Sequence, residues 1–234
     1  MYCQALSEFG YTLIVLPTEE QYPDSVFVED PAVVINDMLV VAWLRDPMRR
    51  GEEERVERAL TPYFAEDRIF RIEHPGFLEG GDVLVIDEQL FVGISKQRTN
   101  RAGARQLAKI AEDCFGYETT FIPLPESLLH LKSGVTYHAP SATTPGVITV
   151  TEELAPYFSD VPHPSLSLRR EEQVGANYGA SGIADDGRVL LHAGRYRTRV
   201  ALERLGYTVR ELGLSEFEKI DGAMTCLSKF FVVV

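Results

Sequence analysis

The sequence predicts a mixed α/β fold, because short runs of β-branched residues alternate with amphipathic helical patterns and tight polar turns join neighbouring runs. The chain has 234 residues, of which 45% are hydrophobic and 25% charged, so it can bury one well-packed core. No proline- or serine-rich linker separates the patterns. We therefore predict a single domain over residues 1–234.

Eight β-branched segments are predicted to form strands. They are residues 12–16, 25–28, 32–35, 38–43, 82–86, 89–94, 146–150 and 188–192. Polar pairs and triplets between some of these segments have the composition of hairpin turns, notably Asn36-Asp37 and Asp185-Asp186-Gly187. The sequence thus predicts several two-stranded hairpins.

Helical patterns lie between the hairpins, each with one apolar stripe. The first stripe consists of Val56, Leu60 and Phe64, and the second of Leu107, Ile110 and Cys114. The order of hairpin, helix and strand recurs four to five times, which indicates repeated units within one domain.

The charge and cysteine content narrow the class of protein. With 35 acidic and 23 basic residues, the net charge of −12 argues against a nucleic-acid partner and favours cationic small molecules. The three cysteines lack CxxC spacing, which argues against a disulfide framework and a structural zinc site. No signal segment or apolar run of about 20 residues is visible. These features predict a cytoplasmic protein that does not enter a membrane.

Two acidic segments are candidates for ligand binding. In residues 23–31, strand alternation would place Asp24 and Asp30 on one face and Glu29 on the other, so that a cation could lie between the first two acids. Solvated acids at strand ends are the alternative. In residues 78–84, Glu79 and Asp82 flank two glycines, which permit either a tight turn or a close approach of the backbone to a ligand.

His130 and Cys226 are the candidates for covalent chemistry. His130 follows Leu128 and Leu129, and burial there would disfavour its charged form. Cys226 precedes the apolar C-terminal run. Taken singly, each is more typical of a buried core residue. Together with the acids, however, they have the composition of a cysteine nucleophile whose partners meet only in the fold.

Several blocks, in order along the chain, resemble the dimethylarginine dimethylaminohydrolase family of the guanidino-group-modifying, or pentein, superfamily. The blocks are residues 23–31, Arg49-Arg50, 78–84, 92–100, 129–133 and 221–226. The resemblance implies a five-bladed α/β propeller of repeated ββαβ units. It also implies that the N-terminal strand and lid loop of family members are missing here, which would leave the first blade incomplete.

The resemblance further implies roles for individual residues. Cys226 would be the nucleophile, His130 the proton donor and acceptor, and Glu79 the acid that orients the histidine. The substrate-binding set would be Asp24, Glu29, Asp30, Arg49, Arg98 and the backbone carbonyl of Ile220. An extra residue between Ser95 and Arg98 leaves Arg101 as an alternative for that arginine. No metal and no other cofactor is implied.

The implied activity is hydrolysis of Nω-methylated arginine to citrulline and alkylamine through a covalent thiouronium on the cysteine. A guanidinium is planar, strongly basic and poorly electrophilic, so carboxylates to hold it and a soft nucleophile to attack it suit this substrate. The alternatives are an arginine deiminase, another guanidine-modifying hydrolase and a non-catalytic binding propeller. The expected partner is a small molecule, and the expected oligomeric state is a monomer or a homodimer.

Overall fold

A computed structural model describes residues 1–169 and 187–233 of the chain. The helices are α1 (Tyr2–Glu8), α2 (Glu52–Leu60), α3 (Arg101–Phe115), α4 (Tyr196–Arg204) and α5 (Ser215–Glu218). The strands are β1 (Ala32–Ile35), β2 (Met38–Val41), β3 (Ile69–Arg71), β4 (Val83–Ile86), β5 (Gln89–Ile94), β6 (Glu118–Pro123), β7 (Val135–His138), β8 (Val147–Thr151), β9 (Ser165–Leu168), β10 (Arg188–His192) and β11 (Thr208–Leu212).

The chain divides into two compact units. The first unit comprises Leu16–Lys132 and the segment from Cys226 to the C-terminus, and the second comprises Met1–Val15 and Ser133–Thr225. Each unit is built from small sheets of two or three strands. The single domain over residues 1–234 stays a prediction.

The first unit contains the ββαβ arrangement twice. In each copy a hairpin is followed by a helix and by a third strand, which pairs parallel to the second strand of the hairpin. The first copy consists of β1, β2, α2 and β3, and the second of β4, β5, α3 and β6. The predicted order of hairpin, helix and strand is therefore confirmed here.

The second unit contains a related three-stranded sheet. In it β7 and β8 form an antiparallel hairpin, and β9 lies parallel to β8. A further pair, β10 and β11, is parallel and is connected through α4. The predicted turn at residues 185–187 lies largely outside the described residues, because only Gly187 is described.

Both sheets of the first unit contribute, together with α3, to one hydrophobic core. The core includes Val33 and Val40 from one sheet, Leu90 and Val92 from the other, and Leu107 from α3. This helix has clear boundaries. The side chain of Asn100 accepts a hydrogen bond from the Gly103 amide at 2.8 Å at its start, and Gly116 ends it in the left-handed conformation, at φ 73°.

Two predicted strands are wrong. Residues 12–16 have no regular structure, and residues 25–28 form turns. The turns arise because amides bond to carbonyls three residues earlier, as in Ser25 to Tyr22 at 3.0 Å and Phe27 to Asp24 at 2.9 Å. The first apolar stripe is also shorter than predicted, since α2 ends at Leu60 and Phe64 lies beyond it.

The strands that open the hairpins are confirmed, and so is the turn at Asn36-Asp37. Asn36 adopts a positive φ of 51°, which a tight hairpin turn requires. Among the residues described, no helix has both the length and the apolar character needed to cross a bilayer.

Candidate active site

The acidic segment 23–31 lies in the first unit as a series of turns. The predicted alternation of faces is therefore wrong, because Asp24 and Asp30 do not belong to a strand. Asp24 is half-buried, whereas Glu29 and Asp30 are buried. The amide of Gly80 donates to the Asp30 carbonyl at 2.9 Å, and the amide of Gly81 donates to Asp30 Oδ1 at 3.2 Å. The two acidic segments predicted from sequence therefore meet.

The imidazole of His130 lies against these two segments. Its Nε2 is 2.9 Å from Glu79 Oε2 and 3.7 Å from Asp30 Oδ1, and all three side chains are buried. A Cβ at position 81 would lie 2.8 Å from His130 Cγ and 3.0 Å from Asp30 Oδ1. Gly81 is therefore needed because the histidine and the carboxylate both pack against its backbone.

The charge on His130 is set by three carboxylates. Burial alone would lower the pKa of His130, but the negative charges of Asp30, Asp82 and Glu79 outweigh burial and raise this pKa to about 9. The expectation that burial would keep the imidazole neutral is therefore wrong. In turn, burial would raise the pKa of Asp30, but the charges of His130 and Arg49 lower it. At neutral pH the imidazole is a charged proton donor.

Replacing Glu79 with glutamine is expected to lower the pKa of His130 by about one to two units, because the closest negative charge is removed. The imidazolium of His130 stabilises the native protein below its ordinary pKa of 6.5, and this stabilisation is lost as the pH rises through about 9. In the variant it should be lost at lower pH. NMR titration of the His130 ring would measure the shift.

A matched control for this titration is Glu126→Gln. The Glu126 carboxylate pairs with Lys96 at 3.5 Å, and both side chains are almost fully exposed. We expect the His130 titration to be unchanged in this control. An unchanged titration in Glu79→Gln as well would show that Glu79 does not control the charge of the histidine.

Arg49 is the cation at the centre of the buried acids. Its Nη1 donates to Asp30 Oδ2 at 2.8 Å, its Nη2 donates to Glu52 Oε2 at 2.8 Å, and its Nε lies 3.2 Å from both Glu52 oxygens. These carboxylates raise the pKa of Arg49 further above its ordinary value, in spite of burial. Sequence reasoning did not find Glu52, although its position three residues after Arg49 at the start of α2 was visible.

Arg98 approaches the same site from the other side of Glu79. Its Nη1 is 3.5 Å from Glu79 Oε1, and its amide donates to Ser95 Oγ at 2.9 Å. Glu79 Oε1 is buried and, within the described part of the chain, accepts no hydrogen bond. The alternative, Arg101, is the exposed first residue of α3. One carboxylate oxygen of Glu79 is thus available to a donor from a ligand.

Glu29 is held by two lysines that sequence reasoning did not find. Lys132 and Lys229 both place Nζ against Glu29 Oε1, the latter at 2.9 Å. Burial lowers the pKa of Lys229, although the charge of Glu29 acts in the opposite direction. The signal in the sequence was a lysine within an otherwise apolar C-terminal run.

Cys226 lies in a short 3₁₀ turn, Thr225–Leu227, and is half-buried. Its carbonyl accepts a hydrogen bond from the Glu29 amide at 3.2 Å. Because Asp30 follows Glu29, this bond brings the backbone of the cysteine to the turn that carries the acid beside His130. Ile220 belongs to the second unit, where it is 52% exposed and its amide donates to the Phe217 carbonyl. Its contact with substrate stays a prediction.

Asp30, Glu79 and His130 also form a group in which one ligand atom from each lies within 4.8 Å of the others. This spacing would suit a metal ion. However, Arg49 and the protonated His130 already supply positive charge to both carboxylates. The donor set is therefore that of an ion-pair network, and its chemistry does not require a metal.

Comparison with known proteins gives a consistent result. A family model described as N,N dimethylarginine dimethylhydrolase, eukaryotic, matches residues 1–139. A dimethylarginine dimethylaminohydrolase from Pseudomonas aeruginosa is 35% identical over 230 residues, which cover 98% of this chain and 85% of the relative. The Streptomyces coelicolor protein of the same name is 34% identical over 97% of this chain and 82% of its own length.

A solved structure agrees with the sequence matches. The Pseudomonas aeruginosa dimethylarginine dimethylaminohydrolase, as a cysteine-to-serine variant complexed with citrulline, superposes with a TM-score of 0.82 at 34% identity. The superposition covers 94% of this chain and 82% of the other. The repeated small sheets and the match in structure confirm the predicted pentein fold, which is the fold of guanidine-modifying proteins. Within that class, the chain belongs to the dimethylarginine dimethylaminohydrolase family.

Proposed function

We propose that this protein hydrolyses Nω-methylated arginine to citrulline and an alkylamine, with Cys226 as nucleophile. The observation that carries the proposal is the buried His130, which three carboxylates keep protonated in the unit that also contains Cys226. The similarity to two dimethylarginine dimethylaminohydrolases over nearly the whole chain supports it independently. The enzyme class is then that of hydrolases acting on C–N bonds of linear amidines.

The guanidinium of the substrate would bind to the carboxylates beside His130. Glu79 Oε1 accepts no hydrogen bond from the described residues and is shielded from water, so a guanidinium N–H would satisfy it. Asp30 Oδ2 is occupied by Arg49, but Asp30 Oδ1 accepts one hydrogen bond, from the Gly81 amide at 3.2 Å, among the described contacts, and a carboxylate oxygen can accept a second one from the substrate. A bound cation would also favour the thiolate of Cys226.

The reaction then has two halves. In the first, the Cys226 thiolate forms a C–S bond to the guanidinium carbon, and His130 gives a proton to the alkylamine nitrogen as its C–N bond breaks. An S-alkylthiouronium remains. In the second, His130 takes one proton from water as the oxygen attacks the same carbon, and the C–S bond breaks to release citrulline and the thiolate, while the remaining hydroxyl proton passes to solvent or to the released alkylamine. Glu79 stabilises the charged form of His130 in the first half.

The other end of the substrate carries a carboxylate and an amino group. Arg98 is 20% exposed and has no carboxylate within normal hydrogen-bond distance among the described contacts, so its guanidinium suits the α-carboxylate. The contact of the Ile220 carbonyl with the α-amino group stays a prediction, because Ile220 belongs to the second unit. Arg49 is bound by Asp30 and Glu52, and Glu29 is bound by two lysines. We therefore assign Arg49 and Glu29 the role of supporting the acidic site. Asp24 is half-buried near them and stays a predicted contact of the substrate.

A side-by-side assay of dimethylarginine, monomethylarginine and arginine tests the substrate. We expect kcat/KM for citrulline release to be at least about tenfold higher for the methylated compounds, because one or two methyl groups in a fitted site contribute this much discrimination. The alkylamine should appear in equal amount. A preference for arginine would instead make the protein a deiminase, and no release from any of the three would indicate a binding propeller.

The remaining properties are supported only by the sequence. The net charge of −12 favours a cationic small molecule over nucleic acid as partner. A cytoplasmic location and a state of monomer or homodimer stay predictions.

A further inference from the structure

The carboxylate of Asp82 is buried beneath the active site and is not used by the reaction scheme. Its residue is 0% exposed and ends the 3₁₀ turn Gly80–Asp82, in which the Asp82 amide donates to the Glu79 carbonyl at 3.0 Å. A buried carboxylate is costly unless its oxygens accept hydrogen bonds. The partners of those oxygens therefore indicate what the residue does.

Asp82 binds the backbone of two separate segments. Its Oδ1 accepts from the Leu131 amide at 3.0 Å, and its Oδ2 accepts from the Thr99 amide at 3.4 Å. Leu131 directly follows His130, and Thr99 directly follows Arg98. One rigid carboxyl group thus connects the residue after the proposed proton donor with the residue after the arginine proposed to bind the α-carboxylate.

The carboxylate of Asp82 fits closely against Gly93 and Leu131 and has little freedom to move. A Cβ at Gly93 in β5 would lie 3.1 Å from Asp82 Oδ1 and 2.9 Å from Leu131 Cβ. The absence of a side chain at this position allows the oxygen and the Leu131 backbone to approach each other closely. Asp82 and Glu79 are moreover joined by the same turn, so the position of Glu79, the acid beside His130, is linked to that of Asp82.

We propose that Asp82 is a positioning residue that fixes His130 and Arg98 relative to each other. The inference rests on the proposed function, in which His130 acts at the guanidino end of the substrate and Arg98 at the carboxylate end. Asp82 touches neither end. Asp82 sets the distance between His130 and Arg98, which must act on the same substrate molecule at the same time. Such alignment contributes strongly to the rate of a reaction.

Asparagine cannot replace this carboxylate. An amide side chain at position 82 offers one acceptor oxygen, and its NH₂ group would face one of the two backbone amides as a second donor. Asp82→Asn should therefore lower kcat/KM for methylarginine by about 10- to 100-fold through misalignment. A carboxylate-free analogue, Nω-methylagmatine, does not use Arg98, so the preference for methylarginine over this analogue should fall about tenfold.

The pH dependence reports the negative charge at position 82, whereas the substrate preference reports the positioning. Glu79, Asp30 and Asp82 are the negative groups that act on His130, and Arg49 and Arg98 are the cations around these acids. Removing the charge of Asp82 should shift the His130 titration, followed by NMR, to lower pH by about one unit.

Asn100→Ala is the matched control. Asn100 Oδ1 also accepts from two backbone amides, those of Phe77 at 3.0 Å and Gly103 at 2.8 Å, and the residue lies outside the proposed machinery. We expect this variant to lose thermal stability while its substrate preference and its His130 titration match the wild type. If Asp82→Asn lost stability but kept the wild-type preference for methylarginine over Nω-methylagmatine, as we expect of this control, Asp82 would be structural only and the proposal would be overturned.

A measurement on the unmodified protein covers the case in which Asp82→Asn does not fold. Amide hydrogen exchange at Leu131 and Thr99 should be slow, since both amides donate to a buried carboxylate. Exchange at the rate of exposed amides would overturn the inference. Hydrogen exchange needs no turnover. A wild type that released no citrulline would therefore refute the proposed function, and the exchange rates would still test the two hydrogen bonds of Asp82.

Discussion

Replacing Cys226 with serine is expected to lower citrulline release from dimethylarginine by at least about 10³-fold. A serine hydroxyl is a much weaker nucleophile than a thiolate at neutral pH, and the guanidinium carbon is a poor electrophile. The position of the backbone should survive the change, because the Cys226 carbonyl, which accepts from the Glu29 amide, is not altered. The variant should therefore still bind substrate.

Steady-state citrulline release gives the rate, and mass spectrometry of an acid-quenched wild-type reaction should show the thiouronium on the peptide that contains Cys226. Cys114→Ser is the control. Cys114 is a partly buried cysteine of α3, in the same unit, and its side chain packs against the hydrophobic core. This control should retain wild-type turnover. Near-normal turnover by Cys226→Ser would refute the covalent scheme.

Replacing Arg49 with methionine is expected to lower the free energy of unfolding by about 3–5 kcal/mol at pH 7.5, because it leaves Asp30 and Glu52 as buried carboxylates without their cation. The pKa of Asp30, which Arg49 helps to keep low, should rise in the variant. Asp30 stabilises the wild type above its unfolded pKa, and this contribution is lost as the pH falls through the folded pKa. The difference in the free energy of unfolding between the wild type and Arg49→Met should therefore become smaller at acidic pH.

Urea unfolding at pH 7.5 measures the loss of stability, and unfolding at a series of lower pH values that reaches below the ordinary Asp30 pKa of 3.8 measures the pH effect. Arg68→Met is the control, since Arg68 pairs with Asp37 at 3.4 Å where both side chains are more than a third exposed. Such pairs contribute roughly 0–1 kcal/mol. A loss in Arg49→Met no larger than that of the control would mean that the buried network does not depend on Arg49.

The fold could be predicted where local pattern decides it. The hairpin of β1 and β2 was predicted from two apolar runs and the turn at Asn36-Asp37, and α3 from its apolar stripe. The strands that close each ββαβ unit were not located, because β3 and β6 are partly polar and paired with strands about 30 residues earlier in the chain, and β3 has only three residues. Such pairing is set by tertiary contacts rather than by the segment's own residues.

The candidate site was predicted as a set of residues but not as a set of contacts. Sequence blocks indicated Asp30, Glu79 and His130, and the structure brings their side chains together. The charge of His130 was not predictable from its leucine neighbours, because it depends on carboxylates that lie about 50 to 100 residues earlier in the chain. Even Asp82, which lies in a predicted motif, acquires its partners only on folding.

The two lysines on Glu29 have a consequence for how a ligand is attracted. A chain with so many acids suggests a strongly negative binding site, yet Lys132, Lys229, Arg49 and the imidazolium of His130 offset the buried carboxylates around the site almost one for one. The site itself then contributes little to long-range attraction, which comes instead from the net charge of −12 on the whole chain. Selection of an incoming cation then depends on the oxygen of Glu79 that, among the described residues, still lacks a hydrogen-bond donor.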